Sequence, residues 1–224
     1  MPVALDPPDG GRGRSRDGRQ PGVATRLYAA EYDAHLDALG RRDVDVLDVL
    51  WTGNLSIGRS DCLRVGLPSP AFTAHYHADQ DLGLRLRAAG LVGRLDRSLV
   101  ARHFHDRTDA DFLRDARRQG EGRAALHRAH PDRFGPFTPP RLVADLPVPL
   151  RAAVGVVGPT RLAEPIARAL MAVGRGAARA GWTGLEVDAA KLARRLMQWH
   201  GATKPAVADA ASADGTGDDA PLPA

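Results

Sequence analysis

Residues 43–54 read DVDVLDVLWTGN, and the fold depends on how this run is shaped. Asp43, Val44, Asp45 and Val46 alternate polar with apolar, and the run then turns apolar through Leu50 and Trp51. That is the pattern of a half-buried strand, with Thr52, Gly53 and Asn54 as the turn that ends it. Helical periodicity lies on both sides. Upstream, Tyr28, Tyr32, Leu36 and Leu39 recur at helical spacing, with Thr25 placed to cap the helix and Gly40 to close it. Downstream, Leu82, Leu86 and Ala89 line one face of a helix over 79–90, closed by Gly90. Residues 91–105, LVGRLDRSLVARHFH, supply one or two short strands, and Ala101, His103 and His105 share a face by period two. Residues 109–131 return to helix, with Pro131 as the stop and Gly120 and Gly122 as weak points within it. Helix, strand, helix, strand, helix is α/β order.

The flanks differ in character. Residues 1–23 mix Pro, Gly, Arg and Asp with no hydrophobic period and read as a loop or disordered arm. After about residue 135 the chain becomes alanine-rich and helical. Leu162, Ile166, Leu170 and Val173 form one stripe, and Leu192, Leu196 and Trp199 form another. Such helices either pack on the α/β part or lie on an anionic membrane surface. Residues 201–224 are too poor in hydrophobic side chains to fold.

The 224 residues, 43% hydrophobic and 26% charged, are enough to bury a core and fit a globular protein. The basic surplus is 31 against 27, nearly all arginine, and acids interleave with bases in the arm GRGRSRDGR. Few aromatic residues are present to stack on bases, so a nucleic-acid binder is disfavoured. Cys62 is the single cysteine, which excludes an internal disulfide and a CxxC metal knuckle. The N-terminus carries no apolar leader core, and no stretch reaches the ~18 apolar residues of a membrane span. A cytoplasmic location is expected, with peripheral membrane contact through the C-terminal helices as a further option.

Three constellations could carry chemistry. In HYHADQDLGLRL (75–86) two carboxylates, Asp79 and Asp81, sit at the mouth of a helix, where free N–H groups and partial positive charge hold a carboxylate ionised and oriented. Either Asp79 is a base, or it is an N-cap with Asp81 a first-turn acid. In ARHFH the imidazoles of His103 and His105 share a strand face; they are metal ligands or simply exposed histidines. Arg114, Arg117, Arg118 and Arg123 crowd one helix, as a phosphate-binding group or a solvated face.

Taken in order, WTGNLSIGRSDCLRVG (51–66), ADQDLGLRLRAAG (78–90), SLVARHFH (98–105) and FLRDARRQGEGRAALHRAHP (112–131) resemble the acceptor-side half of the family 2 glycosyltransferases with the GT-A fold. The run is similar also to the galactosyltransferase C-terminal domain. The resemblance covers residues 24–135 and implies a partial, Rossmann-like α/β GT-A domain, followed by a helical extension over 136–200 and a tail over 201–224. It implies an inverting transfer of a sugar from a nucleotide-sugar donor to an acceptor hydroxyl on a glycan or lipid-linked molecule, in bacterial cell-envelope polysaccharide synthesis. Asp79 falls on the position of the base, with Ala78 where the family has a glutamate. His103, with His105 as the alternative, falls on a late histidine that helps hold Mg²⁺ or Mn²⁺. Trp51, Gly53 and Asn54 resemble an acceptor wall, Asp81 braces the helix, and Arg118 or Arg123 meets the donor diphosphate.

The family's Asp-x-Asp nucleotide-binding half has no counterpart before residue 43. Asp43 and Asp45 spell Asp-Val-Asp but precede the acceptor-side strand directly, and read as solvent-facing. MPVALDPP corresponds to an interior segment, so a separately encoded or missing N-terminal half is expected. The rival expectation is a non-catalytic glycan- or partner-binding pseudo-transferase, marked by Ala78.

Overall fold

In the computed structural model, which describes residues 22–41, 45–66, 69, 72, 76–96, 98, 107–138 and 142–203, the described part of the deciding run, from Asp45 onward, forms 3₁₀ turns and no strand. Asp45 takes φ −61° and ψ 122°, and its carboxylate accepts from the Leu47 N–H at 2.9 Å. This caps a 3₁₀ turn over Val46–Val49, and a second turn covers Thr52–Asn54. At three residues per turn Leu47 and Leu50 share a side. Both are buried against Leu82 and Leu86. The spacing of three between the large leucines therefore overrides the alternation of two that the valines and aspartates spell. Asp45 is a cap with Arg87 nearby at 3.7 Å, not a strand residue; Asp43 lies outside the described residues.

The described elements are α1 (Val23–Arg41), the two 3₁₀ turns, α2 (Arg59–Val65), α3 (Ala78–Ala88), α4 (Asp109–Ala129), α5 (Pro131–Phe134), α6 (Val148–Val157), α7 (Ala163–Arg179) and α8 (Thr183–Thr203). Among the described residues extended pairing is limited to an isolated bridge at Leu95. The α/β expectation, and with it the Rossmann-like GT-A domain, is overturned: the architecture is all-helical. Of the second predicted strand, 91–96 is irregular and 99–105 lies outside the described residues. α1 also differs in its ends: Thr25 is inside the helix and buried, and the helix runs through Gly40 to Arg41.

The main core is made where α8 packs on α4 and α7, with α1 and α6 alongside. Leu113 and Ala116 of α4 meet Leu196, Met197 and Trp199 of α8 and Val23 and Leu27 of α1. Each large side chain so buried contributes about 1.5–3 kcal/mol. The predicted stripe Leu196–Trp199 is therefore a core face. The stripe on α7 is not: Leu162 and Val173 are more than half exposed. The buried positions are Ala163, Ala167, Met171 and Ala177, because small side chains let α7 approach the alanines Ala189, Ala190 and Ala193 of α8 closely. Among the described residues no helix is long and apolar enough to cross a membrane.

Glycines set the closest crossings. A Cβ on Gly120 would lie 1.8 Å from the Gln198 carbonyl oxygen, and one on Gly201 would lie 2.0 Å from the Arg117 carbonyl oxygen. α4 and α8 thus cross glycine against backbone in both directions. Gly83 does the same for α3, where a Cβ would meet the Leu47 carbonyl oxygen at 2.0 Å.

Asp81 joins three elements. Its carboxylate, 3% exposed as a residue, accepts from Arg85 Nε at 2.9 Å and lies 2.9 Å from His130 Nε2. Arg85 also donates to the carbonyls of Val65 and Gly66 at the end of α2. Asp81 thus ties α3 to the end of α2 through Arg85 and to the α4–α5 corner through His130. Asp81→Ala leaves a mostly buried guanidinium without its counter-ion and is expected to cost about 3 kcal/mol. The melting temperature followed by circular dichroism should fall by about 6–12 °C.

Candidate functional site

The helix start that carries Asp79 is positioned by a strained turn. His77 has φ 67° and is the one non-glycine among the described residues in the left-handed region. The turn sits directly on α4, because a Cβ on Gly122 would come within 2.2 Å of the Tyr76 carbonyl oxygen. The Tyr76 hydroxyl bonds Asp115, and burial first, then this carboxylate, pushes its pKa up to about 12. So Gly122, read from sequence as a weak point in a helix, is what lets the turn seat.

His77 is held neutral. Burial first, then the Arg123 charge, lowers its pKa to about 4, and its Nδ1 lies 3.3 Å from Gln80 Oε1. The ordinary value is 6.5, so the unfolded chain takes the proton first as the pH falls. This contribution to stability is therefore whole above pH 6.5 and is lost between 6.5 and about 4. It amounts to about 3 kcal/mol, since each tenfold difference in proton affinity between the folded and unfolded chain is worth ~1.4 kcal/mol. Asp79, whose pKa is raised, works in the opposite sense. Asparagine tolerates the left-handed backbone. His77→Asn is expected to flatten the fall in urea midpoint between pH 6.5 and 4; an unchanged slope would place the dependence elsewhere.

Asp79 is not the cap of α3; His77 holds that place without a side-chain cap bond. The Asp79 carboxylate accepts from the Gln80 N–H at 2.9 Å and from the Thr52 N–H. Burial nevertheless outweighs these donors, and its pKa is raised. The expectation that the helix mouth alone holds it ionised misses that burial. It is a half-buried carboxylate, oriented by main-chain donors and made more basic than usual.

A cleft of about 470 Å³ opens beside it. One side is Trp51, Thr52 and the turn from Tyr76 to Asp79; the other is Gln119, Gly120 and Arg123 of α4 with Arg194, Arg195 and Gln198 of α8. Trp51 is steadied by Tyr32, with ring centres 4.9 Å apart, and by Tyr28 at 5.9 Å. The structure thus brings Asp79, Trp51 and Arg123 to one cleft, with Ala78 at its rim. Gly53 and Asn54 occupy the turn after Thr52 without lining the cleft. Asp81 is buried behind the helix, and Arg118 is exposed and outside the cleft. His103 and His105 lie outside the described residues. Among the described residues no group of three His, Cys, Asp or Glu is set to hold a metal.

Sequence reasoning missed His77, Arg194, Arg195 and Gln198 as cleft residues. A signal was present for the last: Gln198 and His200 interrupt the buried run 196–201, and a polar side chain on a core face needs a partner. Gln198 finds Gln119 at 3.0 Å, and His200 finds the Gly158 carbonyl at 2.8 Å.

The chain matches no protein-family model, no curated protein and no solved structure.

Proposed function

We propose that this cleft is the acceptor site of an inverting sugar transferase, the activity implied by the order of the four motifs that resemble the family 2 glycosyltransferases. The observation that supports it is Asp79: a carboxylate of raised pKa, oriented by main-chain N–H donors and opening on a cleft walled by an indole. A base of raised pKa is a better proton acceptor at neutral pH. The acceptor hydroxyl hydrogen-bonds to the Asp79 carboxylate while its sugar ring packs on Trp51. As the oxygen attacks the anomeric carbon of the donor, its proton passes to Asp79, and the bond from that carbon to the nucleoside diphosphate breaks on the opposite face. A nucleotide-binding unit with an Asp-x-Asp motif presents the donor.

A divalent cation does not fit the described part of the cleft, which offers one carboxylate and three guanidinium groups. No step is routed through Mg²⁺ or Mn²⁺. The histidine suggested as a ligand, His103, is outside the described residues.

The test is transfer of labelled sugar from nucleotide-sugar donors to saccharide acceptors, with the nucleotide-binding unit supplied. Transfer that disappears with Asp79→Asn supports the reading. Saccharide binding without transfer under the same conditions supports the pseudo-transferase instead, which the exposed Ala78 at the cleft rim favours.

A further inference from the structure

The charges around the cleft do not balance. Arg194 is answered by Glu31 at 2.6 Å, and Arg195 by Asp145 at 2.9 Å, with a further bond to Gln198 Oε1 at 3.1 Å. Arg123 is solvent-exposed where it lines the cleft and has no ion pair or hydrogen bond among the described residues. Asp79 is the one carboxylate among the described lining residues. Partial burial between the walls, then Arg195 and Arg194, holds the Arg123 pKa below its ordinary value. Like charges crowded at one wall raise the free energy of the empty cleft, and an anion placed between them relieves it. The crowding is built into the fold, because the glycine crossing at Gly120 is what lets α8 bring its arginines beside Arg123.

We propose that α8 completes the cleft as a phosphoryl-binding wall: the Arg123 guanidinium, flanked by Arg194 and Arg195, takes a phosphoryl group on the side of the cleft opposite Asp79. Guanidinium forks match phosphoryl oxygens in geometry, and a doubly charged group answers a cluster of guanidiniums better than a single carboxylate. A volume of about 470 Å³ falls in the usual range for small-molecule sites, ~300–1,000 Å³. Only the hydroxyl placed at Asp79 rests on the sugar-transfer reading. The phosphoryl group comes either from the donor's diphosphate or from a phosphorylated acceptor.

The experiment is calorimetric titration of the full chain at low ionic strength with inorganic phosphate, a sugar 1-phosphate, uridine diphosphate and, as uncharged control, a methyl glycoside. The phosphorylated probes should bind saturably and more weakly as salt is raised. Arg123→Gln should weaken them about tenfold or more, the worth of a hydrogen bond to a charged group, with the melting temperature unchanged because Arg123 has no partner to lose among the described residues. Arg128→Gln, an exposed change on the same helix outside the cleft, should leave binding unchanged. Tighter binding of uridine diphosphate assigns the site to the donor; tighter binding of the sugar phosphate assigns it to the acceptor. Absence of saturable binding by every phosphorylated probe, or equal binding by Arg123→Gln and the parent, overturns the proposal. Transfer indifferent to Asp79→Asn, with phosphate binding intact, overturns the base and leaves the phosphoryl site standing.

Discussion

Asparagine at position 79 is expected to lower the kcat/KM of sugar transfer by about 10²–10⁴-fold, the usual share of a positioned general base, with the melting temperature held or slightly raised. The two effects separate because of how the carboxylate is held. The amide oxygen of asparagine can still accept from the Gln80 and Thr52 N–H groups. Burial, the main influence on this side chain, penalises the charge that asparagine lacks. The parent profile carries a second signature: its acid limb should lie above the usual carboxylate range, since transfer is lost as Asp79 gains a proton. Radiolabel transfer from nucleotide-sugar, measured against pH, reads both. Turnover unchanged by the substitution would remove Asp79 from the chemistry.

Valine at position 120 should be the most damaging change to the fold. Its Cβ would stand 1.8 Å from a backbone oxygen of α8, and a main-chain atom in a helix cannot swing aside as the end of a side chain can. The helices must separate, loosening Leu113, Ala116, Leu196 and Met197 around the crossing. The loss is at least about 3 kcal/mol, the upper part of the overpacking range, or about 6–12 °C in melting temperature. Gly201→Val strikes the same crossing from the other side, against the Arg117 carbonyl, so the double substitution should cost less than the sum. Gly176→Ala is the control. That helical glycine has nothing within 4 Å of an added Cβ, and alanine there should stabilise by up to about 1 kcal/mol through helix propensity. Equal melting temperatures for Gly120→Val and the parent would show that the crossing is not close.

Much of the helical skeleton is legible in the sequence. The helices expected at 79–90 and 109–131 are observed at Ala78–Ala88 and Asp109–Ala129, because leucine spacing and terminal signals agree there. The run 43–51 misleads because two periods coexist: Val and Asp alternate by two, while Leu47 and Leu50 are three apart, and burial follows the larger side chains. On α7 the helical period favours the face with Leu and Ile, whereas α8 selects the alanine face for its close approach. Asp79, Trp51 and Arg123 are each candidates by sequence, and they do share a cleft. Arg194 and Arg195 cannot be found the same way. Their relation to the cleft depends on which face of α8 meets α4, and local pattern says only which face is apolar.

The glycine crossing of α4 and α8 also bears on the order of events in folding. Arg123 and Arg195 belong to helices separated along the chain by α5, α6 and α7, so the wall they form depends on closing a long loop. Local helices form early and such distant contacts form late. The cationic wall is therefore expected to be complete only once that long loop has closed. Before α8 docks, α3 and α4 alone would present Asp79 and Arg123 without Arg194 and Arg195 beside them.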